Sequence, residues 1–303
     1  MKRTLVALAT AVAAVAVAVA PVAAVTKNFQ PDPDHTFVGL VAFYDTNWEF
    51  VHRCTGELLA PTVLLTAGHC TVDEQSGALL PHARIWFDEN AGAEFDGVNA
   101  DPVTGYPFAC LQPTLCAESS TLYNDDFNNF AGFPKVADTH DVGLVILDKP
   151  MTGLGQASLA GAGTLNSLLK APGTQDTIFR VSGYGDSFAT HHGDPHNPDN
   201  FLSVSYRVRL QAVEKLVNLT APYNAGFNIQ LNGNGDDRGG TCSGDSGGPV
   251  FWPQNGNQIV AVTSFVKSAT CRGDGYYYRT DRQDVIDWIL SKAGDDAANI
   301  TVN

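Results

Sequence analysis

Basic residues are scarce in this sequence, which has 18 lysines and arginines against 32 aspartates and glutamates and a formal net charge of −14. Nucleic acids and anionic membrane surfaces are bound through clusters of positive charge. The charge balance therefore argues against both kinds of partner. An excess of acid is compatible with solubility outside the cell, and it does not identify a substrate.

Long apolar runs are absent beyond residues 5–20. That run follows Met1-Lys2-Arg3 and precedes Val22-Ala23-Ala24, an order that predicts a secretory signal peptide over residues 1–24. A membrane anchor is the rival interpretation, because about 20 apolar residues span a bilayer. The alanine-rich composition and Pro21 favour the signal peptide. Its removal takes away two basic residues and moves the formal charge from −14 to −16. We expect a secreted monomer that does not bind membranes.

Cysteine pairs of the Cys-x-x-Cys type are also absent. The six cysteines are those of an exported chain, so we interpret them as disulfides rather than zinc ligands, although their spacing does not select the pairing. The loop at residues 191–197 is rich in histidine, and Asp88, Glu89, Asn90 and Glu94 suggest a calcium loop. Neither group has a recognisable ligand spacing, so we predict solvated loops and no metal or cofactor.

Short β-branched apolar runs recur along the chain, separated by Gly, Pro, Asn and Asp. This pattern predicts an all-β sandwich or barrel rather than alternating strands and helices. One segment differs, because residues 281–292 place apolar side chains in a helical rhythm after Asp281, a candidate N-cap. The predicted strands cover residues 36–44, 56–59, 63–66, 84–87, 142–147, 178–182, 202–210, 249–252 and 258–266.

The segment Gly244-Asp245-Ser246-Gly247-Gly248-Pro249 places a serine in a glycine-rich turn. Glycines let backbone N–H groups face a ligand, where they can stabilise the oxyanion formed when a serine attacks a carbonyl. The serine needs a base, and the base needs an acid that orients it. Two strand-like segments supply candidates, Leu64-Leu65-Thr66-Ala67-Gly68-His69-Cys70 and Thr139-His140-Asp141-Val142-Gly143.

With His69, Asp141 and Ser246 in this order, the sequence resembles the trypsin-like (chymotrypsin-fold) serine endopeptidases. The resemblance implies an all-β fold of two six-stranded antiparallel β-barrels, with the active site between them and a C-terminal α-helix. It also implies hydrolysis of peptide bonds in protein or peptide substrates through an acyl-enzyme intermediate. The expected protease domain is residues 25–303, with barrels at about residues 36–150 and 171–280 and a helix at about residues 281–292.

The same resemblance assigns roles to individual residues. His69 is the base, Asp141 orients it, and the backbone N–H groups of Gly244 and Ser246 form the oxyanion hole. The implied disulfides are Cys54–Cys70 and Cys242–Cys271, which leave Cys110 and Cys116 to pair with each other.

The resemblance also implies a primary specificity pocket with Gly240, six residues before the nucleophile, at its base. Trypsins carry aspartate there, so a strong preference for lysine or arginine is not supported. Val266 stands where many members have glycine and narrows the pocket, which favours a weak preference for small or medium apolar P1 residues. A one-residue shift of the alignment brings Asp274 into the pocket and restores basic specificity. The other expected pocket residues are Thr241, Ser264 and Gly275.

Asp245 departs from the family pattern. Family zymogens are cleaved to free an Ile-Val-Gly-Gly-like terminus that pairs with the acid before the nucleophile, and this chain contains no such tetrapeptide. A buried carboxylate needs a partner. The candidates are the amine of Val25 after signal removal, Arg279 and Arg238.

Three interpretations remain open. The long segment 88–139 either restricts access to the cleft or is a surface loop. The chain is either an enzyme or a catalytically silent homologue that acts as a secreted binding protein. A serine esterase on another fold is disfavoured, because such enzymes use a Gly-x-Ser-x-Gly elbow and the order Ser, acid, His.

Overall fold

The computed structural model describes residues 28–95, 99–169, 174–187, 207–268, 271 and 273–303. The predicted signal peptide, Val25 and the histidine-rich loop at residues 191–197 lie outside these ranges. No helix within them is both long enough and apolar enough to span a membrane.

The described residues form two antiparallel sheets and one α-helix. In chain order the elements are β1 (Gln30–Pro31), β2 (Val38–Tyr44), β3 (Phe50–Ala60), β4 (Val63–Thr66), β5 (His82–Trp86), β6 (Cys116–Ser119), β7 (Thr121–Asn124), β8 (Gly143–Ile146), β9 (Ile178–Gly183), β10 (Leu210–Asn218), β11 (Asn228–Asn232), β12 (Pro249–Trp252), β13 (Gln258–Val266), β14 (Asp274–Arg279) and α1 (Gln283–Lys292).

The first sheet has the strand order β6-β5-β2-β3-β4-β8-β7. Its edge strands β6 and β7 are consecutive in the chain with only Ser120 between them, so the sheet curls round on itself. Successive side chains of a strand point to opposite faces. In β3, Cys54 and Leu58 therefore pack into the interior of this sheet, while Thr55 and Leu59 point towards the second sheet.

The second sheet is a closed barrel. Its strands run β10-β11-β14-β13-β12-β9, and the ring closes because β10 also pairs with β9, while β1 adds to β10 from outside. Phe179, Val181, Leu231, Val250 and Tyr277 fill its interior. The predicted class, two antiparallel β-barrels with a C-terminal helix, is confirmed, with the first barrel more open than the second.

A shared apolar cluster joins the two sheets to the helix. Val285 and Ile289 of α1 lie four residues apart on one helical face, and both are fully buried. They pack with side chains of both sheets, including Leu59, Leu65 and Phe251. The cleft between the sheets is therefore bounded by parts that cannot move apart without exposing apolar surface.

Several details differ from the sequence-based expectations. The strands β1, β6, β7, β11 and β14 were not predicted, and β3 begins at Phe50 rather than at residue 56. β10 begins at Leu210, whereas the predicted strand ended there, and residues 202–206 of that prediction lie outside the described ranges. The helix begins at Gln283, and Asp281 does not cap it. Instead the Asp281 carboxylate accepts hydrogen bonds from Arg279 Nε and from the backbone N–H of Leu165, both at 2.7 Å.

Candidate active site

The pairing of β4 with β8 brings His69 and Asp141 together. Thr66 at the end of β4 lies opposite Gly143 at the start of β8, so the residues just beyond these ends share one edge of the sheet. The backbone N–H of His69 donates to Asp141 Oδ1 at 2.8 Å. His69 Nδ1 lies 3.0 Å from each carboxylate oxygen of Asp141. The imidazole is thus held by two contacts to one acid.

Opposing effects set the charges of this pair. Burial by itself raises the pKa of Asp141 and lowers the pKa of His69. Mutual attraction and hydrogen bonding outweigh burial, so the pKa of Asp141 is lowered and that of His69 is raised. An ionised acid beside Nδ1 favours the tautomer that carries its proton there, which leaves Nε2 as an acceptor.

Ser264 of β13 adds a further hydrogen bond to the acid. Its hydroxyl donates to Asp141 Oδ2, and this bond also lowers the pKa of Asp141. The sequence analysis placed Ser264 only in the wall of the pocket. No local signal in the sequence pointed to this contact, because it joins residues 123 positions apart on different sheets.

The first sheet holds the loop that carries Ser246. The backbone N–H of Thr55 in β3 donates to the carbonyl of Ser246, and the Thr55 hydroxyl donates to the carbonyl of Gly244, both at 2.8 Å. Gly247 has a φ of +79° and packs so closely on Thr66 that a Cβ there would collide with the threonine hydroxyl. The position therefore requires glycine.

Two backbone N–H groups of this loop take no part in holding the fold. The N–H groups of Asp245, Gly247 and Gly248 donate to carbonyl oxygens 2.8–3.0 Å away. Those of Gly244 and Ser246 donate to no group in the part of the chain that the structure describes. These are the two donors that the sequence analysis assigned to an oxyanion hole, and they are available to a ligand.

Ser246 and His69 line one cavity of about 390 Å³. Its other walls are residues 50–54 of β3, together with Glu74, Ser243 and Gly244. Among the described residues no hydrogen bond joins the Ser246 hydroxyl to the His69 imidazole. Such contacts are often loose before a substrate binds. The cavity is nevertheless a single space that is lined by Ser246, His69 and Gly244.

The described residues contain three disulfides: Cys54–Cys70, Cys110–Cys116 and Cys242–Cys271. These are the pairs that the resemblance implied. Cys54 and Cys70 also lie beside His69 in a group of potential metal ligands. Their sulfurs are bonded to each other, however, and a thiolate is what a metal site requires.

The expected pocket residues lie around Tyr277. The Thr241 hydroxyl is 3.1 Å from the Tyr277 hydroxyl, and Gly275 packs against the same hydroxyl. Gly240 is buried, and Val266 of β13 pairs with Gly275 of β14.

Asp274 is engaged elsewhere. Its two carboxylate oxygens accept hydrogen bonds from the side-chain amides of Gln230, at 2.6 Å, and Asn232, at 2.5 Å. Both amides belong to β11. These two bonds hold the Asp274 carboxylate towards β11.

Asp245 is fully buried, and burial raises its pKa to about 7. Its carboxylate accepts hydrogen bonds from the backbone N–H groups of Gly185 and Cys242, each at 2.8 Å. Neither proposed arginine is its partner, because Arg279 pairs with Asp281 and Arg238 pairs with the neighbouring Asp237.

The long segment 88–139 reaches the site from one side. The rings of Phe127 and Phe130 lie 6.2 Å and 6.0 Å from the His69 imidazole, measured between centroids. These aromatic residues were not singled out from the sequence, because nothing local ties them to the histidine. The segment thus forms a wall beside the imidazole.

The Trypsin family model matches residues 119–289. No curated protein sequence matches the chain.

Several solved structures share the fold. HL collagenase has a TM-score of 0.56 and 17% sequence identity, with 86% of this chain and 94% of that chain covered. A scabies mite inactivated protease paralogue, S-D1, has a TM-score of 0.55 and 14% identity over 85% of this chain and 93% of its own. A Glu endopeptidase has a TM-score of 0.53 and 16% identity over 89% and 98%. At these identities the likeness establishes the fold alone.

Proposed function

This chain belongs to the trypsin-like serine protease family, and we propose that it is a secreted serine endopeptidase with His69, Asp141 and Ser246 as its catalytic triad. One observation carries the proposal. The half-buried imidazole of His69, paired with the buried Asp141, lines the same cavity as Ser246, beside two backbone N–H groups that no described residue accepts from.

The chemistry follows from this arrangement. Ser246 Oγ attacks the carbonyl carbon of a peptide bond while His69 Nε2 takes the hydroxyl proton. The carbonyl oxygen becomes an oxyanion that accepts hydrogen bonds from the N–H groups of Gly244 and Ser246. The C–N bond then breaks as His69 returns the proton to the leaving amine. A water molecule, deprotonated by the same imidazole, hydrolyses the acyl-enzyme.

The ionised Asp141 stabilises the imidazolium that forms during both steps. Its burial and its hydrogen bond from Ser264 keep it oriented on Nδ1. The substrates of this reaction are proteins or peptides.

We also propose the weak preference for small or medium apolar P1 residues. Gly240 brings no side chain to the base of the expected pocket, and Val266 stands on its wall. The occupation of Asp274 by two amides supports this choice over a basic specificity. A peptide-library cleavage profile tests it, and cleavage mainly after Lys or Arg would overturn it.

The proposal includes export with signal removal at about residue 24, and a monomeric product. Three disulfides support export, because disulfides persist in oxidising compartments.

The second candidate is a catalytically silent homologue that acts as a secreted binding protein. The missing hydrogen bond between Ser246 and His69 is the observation that favours it, and one protein of similar fold is titled an inactivated protease paralogue.

Labelling with a fluorophosphonate separates the two candidates. We expect the purified mature protein to be labelled and Ser246→Ala not to be. Replacing Ser246 or His69 should also lower kcat on peptide substrates by a factor on the order of 10⁶. Absence of labelling from both proteins would favour the binding protein.

A further inference from the structure

The loop that carries Ser246 lies between two short segments, one from each sheet. On one side, Thr55 of β3 bonds to the carbonyl oxygens of Gly244 and Ser246. On the other side, the backbone N–H of Asp186, just after β9, donates to the carbonyl of Ser243 at 2.8 Å. Residues of both barrels therefore hold the loop by hydrogen bonds.

An ion pair joins the outer ends of these two segments. Arg53 Nη2 lies 2.5 Å from Asp186 Oδ1, and their side chains are only 23% and 26% exposed. The guanidinium also covers the loop, since Arg53 Nε is 3.2 Å from where a Cβ on Gly244 would stand. We call this pair, Arg53 with Asp186, the clasp.

The clasp lies beside the buried acid of the loop. Asp245 makes no ion pair with any described residue, and its carboxylate is held by backbone N–H groups of Gly185 and Cys242. Burial raises the pKa of Asp245 in spite of these bonds; Asp186 raises it further, and Arg53 opposes Asp186. The two charges of the clasp thus act in opposite directions on Asp245, so the role of the clasp lies in the geometry of the loop.

We propose that Arg53 is a positioning residue that orders the loop from Ser243 to Ser246 through the clasp. The inference rests on the proposed function for its effect on catalysis. Its effect on loop order is independent of any chemistry. Arg53 acts on the reacting atoms only through Gly244, whose N–H group must point into the cavity.

The first test measures kinetics on a peptide anilide. Arg53→Met should lower kcat by about 10–100-fold, because a displaced Gly244 N–H weakens an oxyanion donor, while KM changes little. Arg53→Lys should recover most of the loss, since a single N–O contact forms the pair. Asp186→Asn should mimic Arg53→Met, and the double variant should add little to either.

The matched control is Arg238→Met. The Arg238 side chain is 22% exposed and pairs with an aspartate, as Arg53 does, but no hydrogen bond or ion pair joins it to residues 243–246 among the described residues. We expect its kcat to match that of the wild type. Equal losses in Arg53→Met and Arg238→Met would overturn the proposal.

The second test is hydrogen exchange at the amides of Asp245, Gly247 and Gly248, whose N–H groups are bonded only when the loop is ordered. Arg53→Met should speed their exchange at least about tenfold and leave amides between β2 and β5 unchanged. Unchanged exchange in both clasp variants would refute the clasp even if fluorophosphonate labelling stands. Faster exchange in a protein that is never labelled would support the clasp and refute the proposed function.

Discussion

Replacement of Glu57 by methionine should stabilise this protein. Glu57 of β3 is fully buried, and neither of its carboxylate oxygens has a hydrogen-bond partner among the described residues. Its neighbours across the sheet are Val38 and Leu65, both fully buried and apolar. Burial alone therefore raises the pKa of Glu57 well above its ordinary value of 4.5.

The size of the effect has two parts. A buried polar group without a partner costs about 1–3 kcal/mol, and methionine of similar length removes that cost without opening a cavity. The second part depends on pH. The pKa of Glu57 is higher in the folded state than in the unfolded state. The wild type therefore keeps its full free energy of unfolding below about pH 4.5 and loses part of it as the pH rises towards the folded-state pKa. The advantage of Glu57→Met should grow by up to about 1.4 kcal/mol per pH unit over that interval.

Urea denaturation of the wild type and Glu57→Met at several pH values between 4 and 8 measures the gain in the free energy of unfolding and its dependence on pH. In a separate thermal melt, the melting temperature should rise by about 2–4 °C for each kcal/mol gained. Glu49→Gln is the control, because Glu49 is exposed and its replacement should change stability by less than about 0.5 kcal/mol. A Glu57→Met variant that is less stable, or whose advantage does not grow with pH, would show that the carboxyl group has a partner and refute the reasoning.

Three further predictions concern the site and its disulfides. Ser264→Ala should lower kcat about tenfold, because a hydrogen bond to an ionised acid is worth about 1.5 kcal/mol, and an unchanged kcat would contradict a role for Ser264 in holding Asp141. The kcat/KM should rise with pH as His69 loses its proton, with a midpoint above 6.5 because Asp141 raises the pKa of His69, and a midpoint below 6.5 would contradict that shift. Removing Cys242–Cys271, which closes a loop of 29 residues, should lower the free energy of unfolding by about 3.6 kcal/mol. Removing Cys110–Cys116, which closes a loop of 6 residues, should lower it by about 2.2 kcal/mol. Denaturant unfolding that shows the reverse order would refute the entropic account.

The residues that the sequence predicted correctly to lie together are those whose motifs stand directly beside the end of a strand. His69 follows β4, Asp141 precedes β8, and each motif carries its own local context. The pairing of β4 with β8 then brings the two together without further information. Strands such as β12 and β13 were predicted with their observed bounds because their buried apolar runs are unbroken.

Other elements were not predicted because their local pattern is interrupted. β10 alternates buried and half-buried positions, but Glu214 occupies a core-facing position and hides the alternation. The Tyr277 hydroxyl donates to one oxygen of that carboxyl group at 2.5 Å. This tyrosine lies 63 residues further along the chain, on β14. A charged residue facing inward is predictable only when its distant partner is known.

The same reasoning explains why Arg53 was missed as the cation near Asp245. The search of the sequence looked for a basic residue that would bond directly to the acid, and backbone N–H groups took that place. Arg53, Thr55 and Glu57 alternate along β3, and a polar face of a strand ordinarily indicates solvent. Here that face is largely buried. Arg53 pairs with Asp186, Thr55 bonds to the loop that carries Ser246, and Glu57 has no hydrogen-bond partner among the described residues. The contacts that each of these three side chains makes depend on how the two barrels pack together. That packing joins residues far apart in the chain, so no single segment of the sequence predicts it.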